Sequence, residues 1–276
     1  MTANRLAVLG SPIQHSQSPA LHAVAYAALG LDWNYSAVDV PQAGLGEFLE
    51  GCGSDWRGLS LTMPLKRDIV SRLSVRDPLV ELTGSANTVL FTTAGLHGFN
   101  TDVYGVVRAL AEKGIRFVTS VRLVGAGATA ASVLVAVASL GATHVHIVSR
   151  SLERARAIHD LAETLGLIVR LTGFAPRDWL EAEPDLIVST LPGGAEIDLE
   201  LSDEVLQGAT FFDVVYDPWP TPLGARFLAA GATVVGGRDM LLYQALGQVR
   251  IFAAGFADAE LPNEAAVLAA MRAALS

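Results

Sequence analysis

Residues 121–130 read VRLVGAGATA, a short apolar strand followed by a glycine-rich turn. The turn and the start of the following helical pattern are formed by Gly125, Ala126, Gly127, Ala128, Thr129 and Ala130. In a G-x-G-x-x-A loop between a strand and a helix, the first glycine permits a tight turn and the second lets the backbone approach a pyrophosphate. The small last residue keeps the helix close to the sheet, and the helix N-terminus offers free N–H groups to phosphates. The stretch therefore predicts a dinucleotide-binding loop.

Short apolar segments and helical patterns alternate on the C-terminal side of this loop. Helices are predicted at 128–140 and 152–165, and strands at 144–148, 168–171, 185–189, 210–215 and 233–235. This strict alternation is typical of a doubly wound parallel sheet. The run from Leu123 to Ser149 contains no Asp, Glu, Lys or Arg. Glycines divide it into short elements, so it predicts a sheet covered on both faces rather than a membrane span.

The first hundred residues predict a second α/β unit. Strands are expected at 6–9, 35–40 and 58–62, helices at 20–29 and 44–50, and a hairpin at 87–92 and 96–99. A long helix is predicted at 103–113, and residues 240–276 return to a helical pattern broken near Pro262. These terminal helices have no sheet of their own, so they must pack on one of the two α/β units.

Composition limits the partners of the chain. The 276 residues contain 19 basic and 28 acidic side chains, giving a formal net charge of −9. An acidic surface repels phosphate backbones and anionic lipid, so we expect neither nucleic acid nor a membrane as a partner. Cys52 is the single cysteine and excludes an internal disulfide. With no signal-peptide pattern at the N-terminus, these features predict a cytoplasmic protein.

The strand predicted at 144–148 is followed by Ser149, Arg150 and Ser151. An NAD site favours Asp or Glu at this tip, where a carboxylate holds the ribose 2′-hydroxyl. A guanidinium flanked by hydroxyls suits a 2′-phosphate instead, and a carboxylate would repel it. Ser151 can also act as a helix N-cap and Arg150 as a solvated surface charge, and neither role conflicts with phosphate binding. The tip therefore favours NADP.

Three polar residues follow two of the predicted strands in the N-terminal unit. Ser16 and Ser18, two residues apart, lie between the first strand and a helix, where both hydroxyls can donate to one carboxylate. Lys66 follows the third strand, where an ammonium can enter a cleft and exchange a proton. Taken alone, a serine before a proline is as typical of a helix cap, and an isolated lysine is usually a solvated surface charge.

The order of motifs along the chain is more specific than any of them alone. They lie at 12–19, 62–66, 85–88, 100–102, 216–223 and 236–244, with the dinucleotide loop after the fourth. This series closely resembles the shikimate dehydrogenase family, from about Arg5 to Phe252. The resemblance implies reversible NADPH-dependent reduction of 3-dehydroshikimate to shikimate, in the route to chorismate and the aromatic amino acids.

The resemblance also implies roles for individual residues. It assigns the reacting hydroxyl and its proton to Lys66 and Asp102, and the substrate carboxylate to Ser16 and Ser18. The remaining positions are the substrate-hydroxyl contacts Thr62, Asn87 and Gln244, Tyr216 near the carboxylate, and Gly237 and Met240 beside the nicotinamide. It further implies a substrate domain formed by 1–102 and 240–276, and a Rossmann domain formed by 103–239.

Some features depart from the family or stay open. Ser60 stands where many members carry Asn, and Arg238 and Asp239 where apolar residues and glycine are common. A quinate/shikimate dehydrogenase that uses NAD, an aminoshikimate dehydrogenase and a non-catalytic ligand sensor are the alternatives. The chemistry requires no metal and the scattered histidines indicate none. Oligomeric state, monomer or homodimer, is not readable from the sequence.

Overall fold

The computed structural model describes residues 4–174, 184–195 and 201–275. The chain divides into two compact units: Met1–Gly105 with Leu241–Ser276, and Val106–Met240. We refer to them as the first and the second unit.

The strands and helices below are given in chain order. The first part of the chain forms β1 (Arg5–Gly10), α1 (Ser18–Leu29), β2 (Asn34–Asp39), α2 (Leu45–Glu50), β3 (Trp56–Leu61), β4 (Val75–Arg76), α3 (Pro78–Thr83), β5 (Thr88–Thr92), β6 (Gly95–Phe99) and α4 (Asp102–Glu112). The remainder forms β7 (Ser120–Val124), α5 (Ala128–Ser139), β8 (His144–Val148), α6 (Leu152–Thr164), β9 (Ile168–Thr172), β10 (Leu186–Ser189), α7 (Asp203–Gly208), β11 (Thr210–Asp213), α8 (Pro222–Ala229), β12 (Val234–Val235), α9 (Gly237–Ala254) and α10 (Glu264–Ala273).

The first unit contains a mixed sheet with strand order β2-β1-β3-β5-β6-β4. β1 pairs in parallel with β2 and β3, whereas β5 pairs antiparallel with both β3 and β6. Successive side chains of a strand point to opposite faces, and β1 is buried on both. Leu6 belongs to the apolar cluster formed with α1, α9 and α10, while Ala7 and Leu9 belong to the cluster on the other face, which includes Leu45 of α2.

The second unit contains a fully parallel sheet with strand order β12-β11-β10-β7-β8-β9. Counted from β7, this is the order 3-2-1-4-5-6 of a doubly wound dinucleotide fold. The order reverses between β7 and β10, which is where such sheets bind ligands at the carboxyl ends of the strands. The predicted α/β class with a Rossmann domain is confirmed.

Three short helices, α3, α7 and α8, were not predicted, although each begins with a standard side-chain cap. The Asp77 carboxylate accepts from Leu79 N ahead of α3, and the Ser202 and Thr221 hydroxyls accept from the first turns of α7 and α8. The strand predicted at 210–215 ends earlier, at Asp213, because the Asp213 side chain accepts from Val215 N at 3.1 Å and turns the chain out of the ladder. In the described part of the chain, every helix is too short or too polar to cross a membrane.

Candidate active site

A lysine–aspartate pair lies at the carboxyl end of β3 in the first unit. Lys66 occupies the turn after β3, and Asp102 is the first residue of α4. Their Nζ and Oδ2 atoms are 2.6 Å apart, and the side chains are 15% and 3% exposed. The N-terminus of α4 also favours a negative charge at Asp102. A charge this buried is stable only when paired and hydrogen-bonded, and Asp102 meets both conditions.

Asn87 connects this pair to the neighbouring elements. Its Nδ2 lies 2.8 Å from Asp102 Oδ1, 2.9 Å from Thr101 Oγ1 and 3.2 Å from Gln244 Oε1. Its Oδ1 accepts from Thr101 N at 2.9 Å, which fixes the amide orientation because a backbone N–H can only donate. Asn87 therefore holds the Asp102 carboxylate and the Gln244 amide close to each other, since its Nδ2 contacts both.

The loops that carry these residues are tied together by Asn100. Its Oδ1 accepts from Asp102 N at 3.0 Å, at the start of α4. Its Nδ2 donates to Thr83 Oγ1 at 3.0 Å and to Ser85 O at 3.2 Å, at the end of α3. The turn with Lys66 joins the same assembly, since Ala86 N donates to Lys66 O at 2.8 Å. A buried, satisfied network of this kind holds the charged pair in one geometry.

The predicted serine pair lies in the loop from β1 into α1. Ser18 is the first residue of α1 and buried, and its N–H donates to Ser16 Oγ at 3.3 Å. Thr62 lies beside this loop: a Cβ added at Gly10 would come within 2.3 Å of Thr62 Cγ2. The structure thus places Ser16, Ser18 and Thr62 at neighbouring strand ends of the first unit. Their joint binding of a carboxylate and a hydroxyl stays a prediction.

The glycine loop of the second unit has the geometry that a pyrophosphate requires. Gly125 has φ +110°, and a Cβ there would lie 2.3 Å from Thr190 Oγ1, so only glycine fits. Gly127 precedes α5 with extended φ and ψ, and a Cβ there would meet no described atom within 4 Å. Ala130 is fully buried, which lets α5 pack on the sheet. A phosphate can therefore approach the backbone at Gly127, beside Ala126, Ala128 and Thr129 at the start of the helix.

The tip after β8 forms a tight turn. Ser149 Oγ accepts from Ser151 N at 3.3 Å and donates to Ser151 O at 3.2 Å, so this hydroxyl shapes the turn. Arg150 is exposed at its apex. The guanidinium is free to meet an anion from solvent, and its contact with a 2′-phosphate stays a prediction.

Tyr216, Gly237 and Met240 all lie in the second unit. Tyr216 follows β11 in a loop anchored by the buried Asp213, whose Oδ2 accepts from Thr221 Oγ1 at 2.7 Å. Burial raises the pKa of Asp213, and the hydrogen bonds from Thr221 and Val215 offset part of that rise. A Cβ at Gly237 would lie 2.3 Å from the carbonyl oxygen of Val214, so this position needs glycine.

Sequence reasoning missed residues that shape both units. Thr101 contacts Asn87 through both its backbone N–H and its hydroxyl, and Thr190 lies against Gly125 and donates to Val124 O at 3.0 Å. Asp213 anchors the Tyr216 loop. A signal existed for Thr190, since it directly follows the strand predicted at 185–189, and ligands bind at the carboxyl ends of strands in a doubly wound sheet.

A doubly wound sheet with this glycine loop at its switch point is typical of nicotinamide dinucleotide-dependent oxidoreductases. A lysine–aspartate pair, as found in the other α/β unit, has the acid–base chemistry that an alcohol dehydrogenase needs for proton transfer. The fold and the site together define this class of enzyme.

Comparison with known proteins identifies the family within that class. Residues 8–89 match the model of the shikimate dehydrogenase substrate binding domain. The chain is 34% identical over 275 residues to the shikimate dehydrogenase (NADP(+)) of Methanopyrus kandleri, covering 95% of this chain and 94% of that protein. Shikimate dehydrogenase from Mycobacterium tuberculosis is 35% identical, with TM-score 0.82 and coverage of 99% and 98%. Shikimate 5-dehydrogenase from Thermus thermophilus, in complex with NADP(H) and shikimate, is 31% identical, with TM-score 0.80 and coverage of 98% and 99%. The chain belongs to the shikimate dehydrogenase family.

Proposed function

We propose that the chain is an NADP-dependent shikimate dehydrogenase, which reversibly reduces 3-dehydroshikimate to shikimate in the biosynthesis of chorismate and aromatic amino acids. The observation that carries this proposal is the contact of Lys66 with Asp102, held in turn by Asn87. The curated relatives carry the same activity in their names, which supports it.

Proton transfer is the part of the reaction that the first unit performs. When a ketone is reduced, the Lys66 ammonium donates a proton to the carbonyl oxygen; when an alcohol is oxidised, the neutral amine takes it back. Asp102 stabilises the ammonium and orients it through the 2.6 Å contact. NADP, when bound, supplies the hydride donor or acceptor. No group of the protein then needs to form a covalent bond with the substrate.

Substrate recognition is assigned to neutral donors and acceptors of the first unit. Ser16 and Ser18 hold the carboxylate, and Thr62, Asn87 and Gln244 hold the ring hydroxyls. This assignment is supported by the Asn87 amide, which contacts both Asp102 and Gln244, and by the adjacency of the β1 and β3 loops. Buried amides directed at hydroxyls also reject analogues, because a missing hydroxyl leaves a polar group unpaired. We place Tyr216 near the carboxylate, as the family resemblance implies.

Cofactor binding is assigned to the second unit. Residues 125–130 hold the pyrophosphate, the 149–151 turn holds the 2′-phosphate through Arg150, and Gly237 and Met240 lie beside the nicotinamide. The open space at Gly127 and the exposed Arg150 support this assignment. The preference for NADP over NAD follows from charge, since the exposed Arg150 is cationic and no carboxylate lies in the turn at 149–151.

The test is a spectrophotometric assay of the reduced nicotinamide band at about 340 nm, in which shikimate or quinate is combined with NADP+ or NAD+. We expect turnover with shikimate and NADP+, and its loss by about 10²- to 10⁴-fold in Lys66→Met. Arg67→Met is the matched control, because Arg67 is the adjacent exposed cation. Equal loss in both variants, or a preference of the wild type for quinate or NAD+, would contradict the proposal.

Tight binding of NADPH and shikimate without turnover would instead indicate a ligand sensor. We propose the cytoplasm as the compartment and a monomer or homodimer as the assembly, the latter to be measured by sedimentation.

A further inference from the structure

A continuous chain of hydrogen bonds is buried in the first unit. Tyr26 Oη lies 2.9 Å from His22 Nδ1, and His22 Nε2 lies 3.2 Å from Gln248 Oε1. Gln248 Nε2 donates to the carbonyl oxygen of Asn87 at 3.1 Å, and Ser60 Oγ donates to Gln248 Oε1 at 3.0 Å. All five residues are buried. The chain joins α1, α9 and β3 to the residue that holds Asp102.

Every donor in this chain has a defined direction. The Gln248 amide has one possible orientation, because its nitrogen must donate to the carbonyl oxygen of Asn87. Its oxygen therefore faces His22, so His22 donates from its own Nε2 and accepts from Tyr26 at Nδ1. Burial lowers the pKa of His22 to about 3 and raises the pKa of Tyr26 well above its usual value, which keeps both groups neutral. Hydrogen bonds that run in one direction in a low-dielectric interior strengthen one another.

Helical periodicity places this chain directly behind the predicted substrate contacts. Ser18 and His22 are four residues apart on α1, and Gln244 and Gln248 are four residues apart on α9, so each pair shares a helix face. Asn87 belongs both to the hydrogen-bond chain and to the predicted substrate contacts. Its carbonyl oxygen accepts from Gln248, while its side-chain amide donates to Asp102 and Gln244.

We propose that His22 and Gln248 are positioning residues, which set the Ser18, Asn87 and Gln244 contacts relative to one another without touching the substrate. The inference rests on the proposed function, because substrate kinetics are its readout. Apolar side chains could fill the same volume, but their contacts have no preferred direction. Directional hydrogen bonds, by contrast, fix the register of α1 and α9 against Asn87. Ser60 adds a second donor to Gln248 Oε1 and so ties β3 to the same amide.

The test compares Gln248→Met with Val249→Ala. Methionine has a similar length and removes all three hydrogen bonds of Gln248, whereas Val249 is its buried neighbour in the apolar core of the same helix. We expect Gln248→Met to lower kcat/KM for shikimate by about 10- to 100-fold, as displaced contacts do. The KM for NADP+ should stay within about twofold of the wild-type value. Val249→Ala should lower the melting temperature and leave both KM values unchanged.

Ser60→Ala covers the case in which Gln248→Met does not fold, since it removes one hydrogen bond and little volume. A loss in kcat/KM for shikimate of about 3- to 10-fold corresponds to one hydrogen bond. Wild-type kinetics in Ser60→Ala, or in a folded Gln248→Met, would show that the chain only stabilises the fold. An active wild type with unaffected variants overturns the positioning role alone, whereas a wild type inactive on shikimate overturns the proposed function as well.

Discussion

Lowering the pH from about 7 to about 5 should destabilise the first unit through the buried imidazole of His22. Burial lowers the pKa of this group from 6.5 to about 3, so the folded protein keeps it neutral. The unfolded chain takes up a proton as the pH falls below 6.5, and the folded chain does not until the pH approaches 3. The stabilising contribution is therefore complete above pH 6.5 and is lost progressively as the pH falls toward 3.

The magnitude follows from the two pKa values. Each pH unit within this window changes the free energy of unfolding by about 1.4 kcal/mol per proton. At about pH 5, which is about 1.5 units below the unfolded pKa, the loss is about 2 kcal/mol. That is a substantial part of the net stability of a typical domain, about 5–15 kcal/mol.

His22→Gln tests this assignment, because glutamine keeps an amide donor near Gln248 and does not titrate. Urea unfolding is followed at both pH values by hydrogen exchange of peptides from the first unit, the unit that contains His22. We expect the wild type to lose about 2 kcal/mol more than His22→Gln between the two pH values, whatever their stabilities at pH 7. His15→Gln is the control, since His15 is exposed. An equal pH dependence in the wild type and His22→Gln would refute a buried neutral imidazole.

Three further predictions concern the two units separately. Asp102→Asn should lower turnover by about 10²- to 10⁴-fold while the protein still binds NADPH, as measured by initial rates and fluorescence titration. Arg150→Ala should raise the KM for NADP+ with much less effect on NAD+; an equal loss with both cofactors would mean that Arg150 does not recognise the 2′-phosphate. Gly125→Ala should lower the melting temperature because of its positive φ and the Thr190 contact, whereas Gly127→Ala should leave it nearly unchanged but weaken NADPH binding. Calorimetry and the same titration separate these two effects.

The sequence predicted those parts of the fold that depend on local patterns. The doubly wound parallel sheet around Gly125 could be predicted because alternating apolar strands and helices have few permitted topologies. The early end of β11 at Asp213 could not, since it depends on a side chain that competes with the ladder for Val215 N. Short helices such as α3 were missed because 6 residues, fewer than two turns, are too few to show periodicity, although the sequence does contain the cap at Asp77.

The candidate site shows the same division. Lys66 and Asp102 could be singled out because their motifs recur in a known order, and the structure brings their charged atoms together. The chain through His22 could not be found, because Gln248 is 226 positions away and a lone histidine on an apolar helix resembles any other buried residue. Long-range polar contacts leave no periodic trace in a sequence. They become visible only when the packing of α1 against α9 and α10 is known.

The charge distribution of the first unit explains how an acidic protein can recognise an anionic substrate. The Lys66 ammonium is neutralised by Asp102 at 2.6 Å, so the pair adds no net positive charge to attract a carboxylate. The formal charge of −9 on the chain also provides no general positive field to attract an anion. We therefore expect recognition to rest on short-range neutral donors, as proposed for Ser16 and Ser18 at the start of α1, where the partial positive charge of the helix N-terminus would reinforce them. Donors of this kind act only at hydrogen-bond distance, so their positions must be held within a fraction of an ångström. This requirement predicts rigid polar residues one helical turn behind the substrate contacts, which is where His22 and Gln248 lie relative to Ser18 and Gln244.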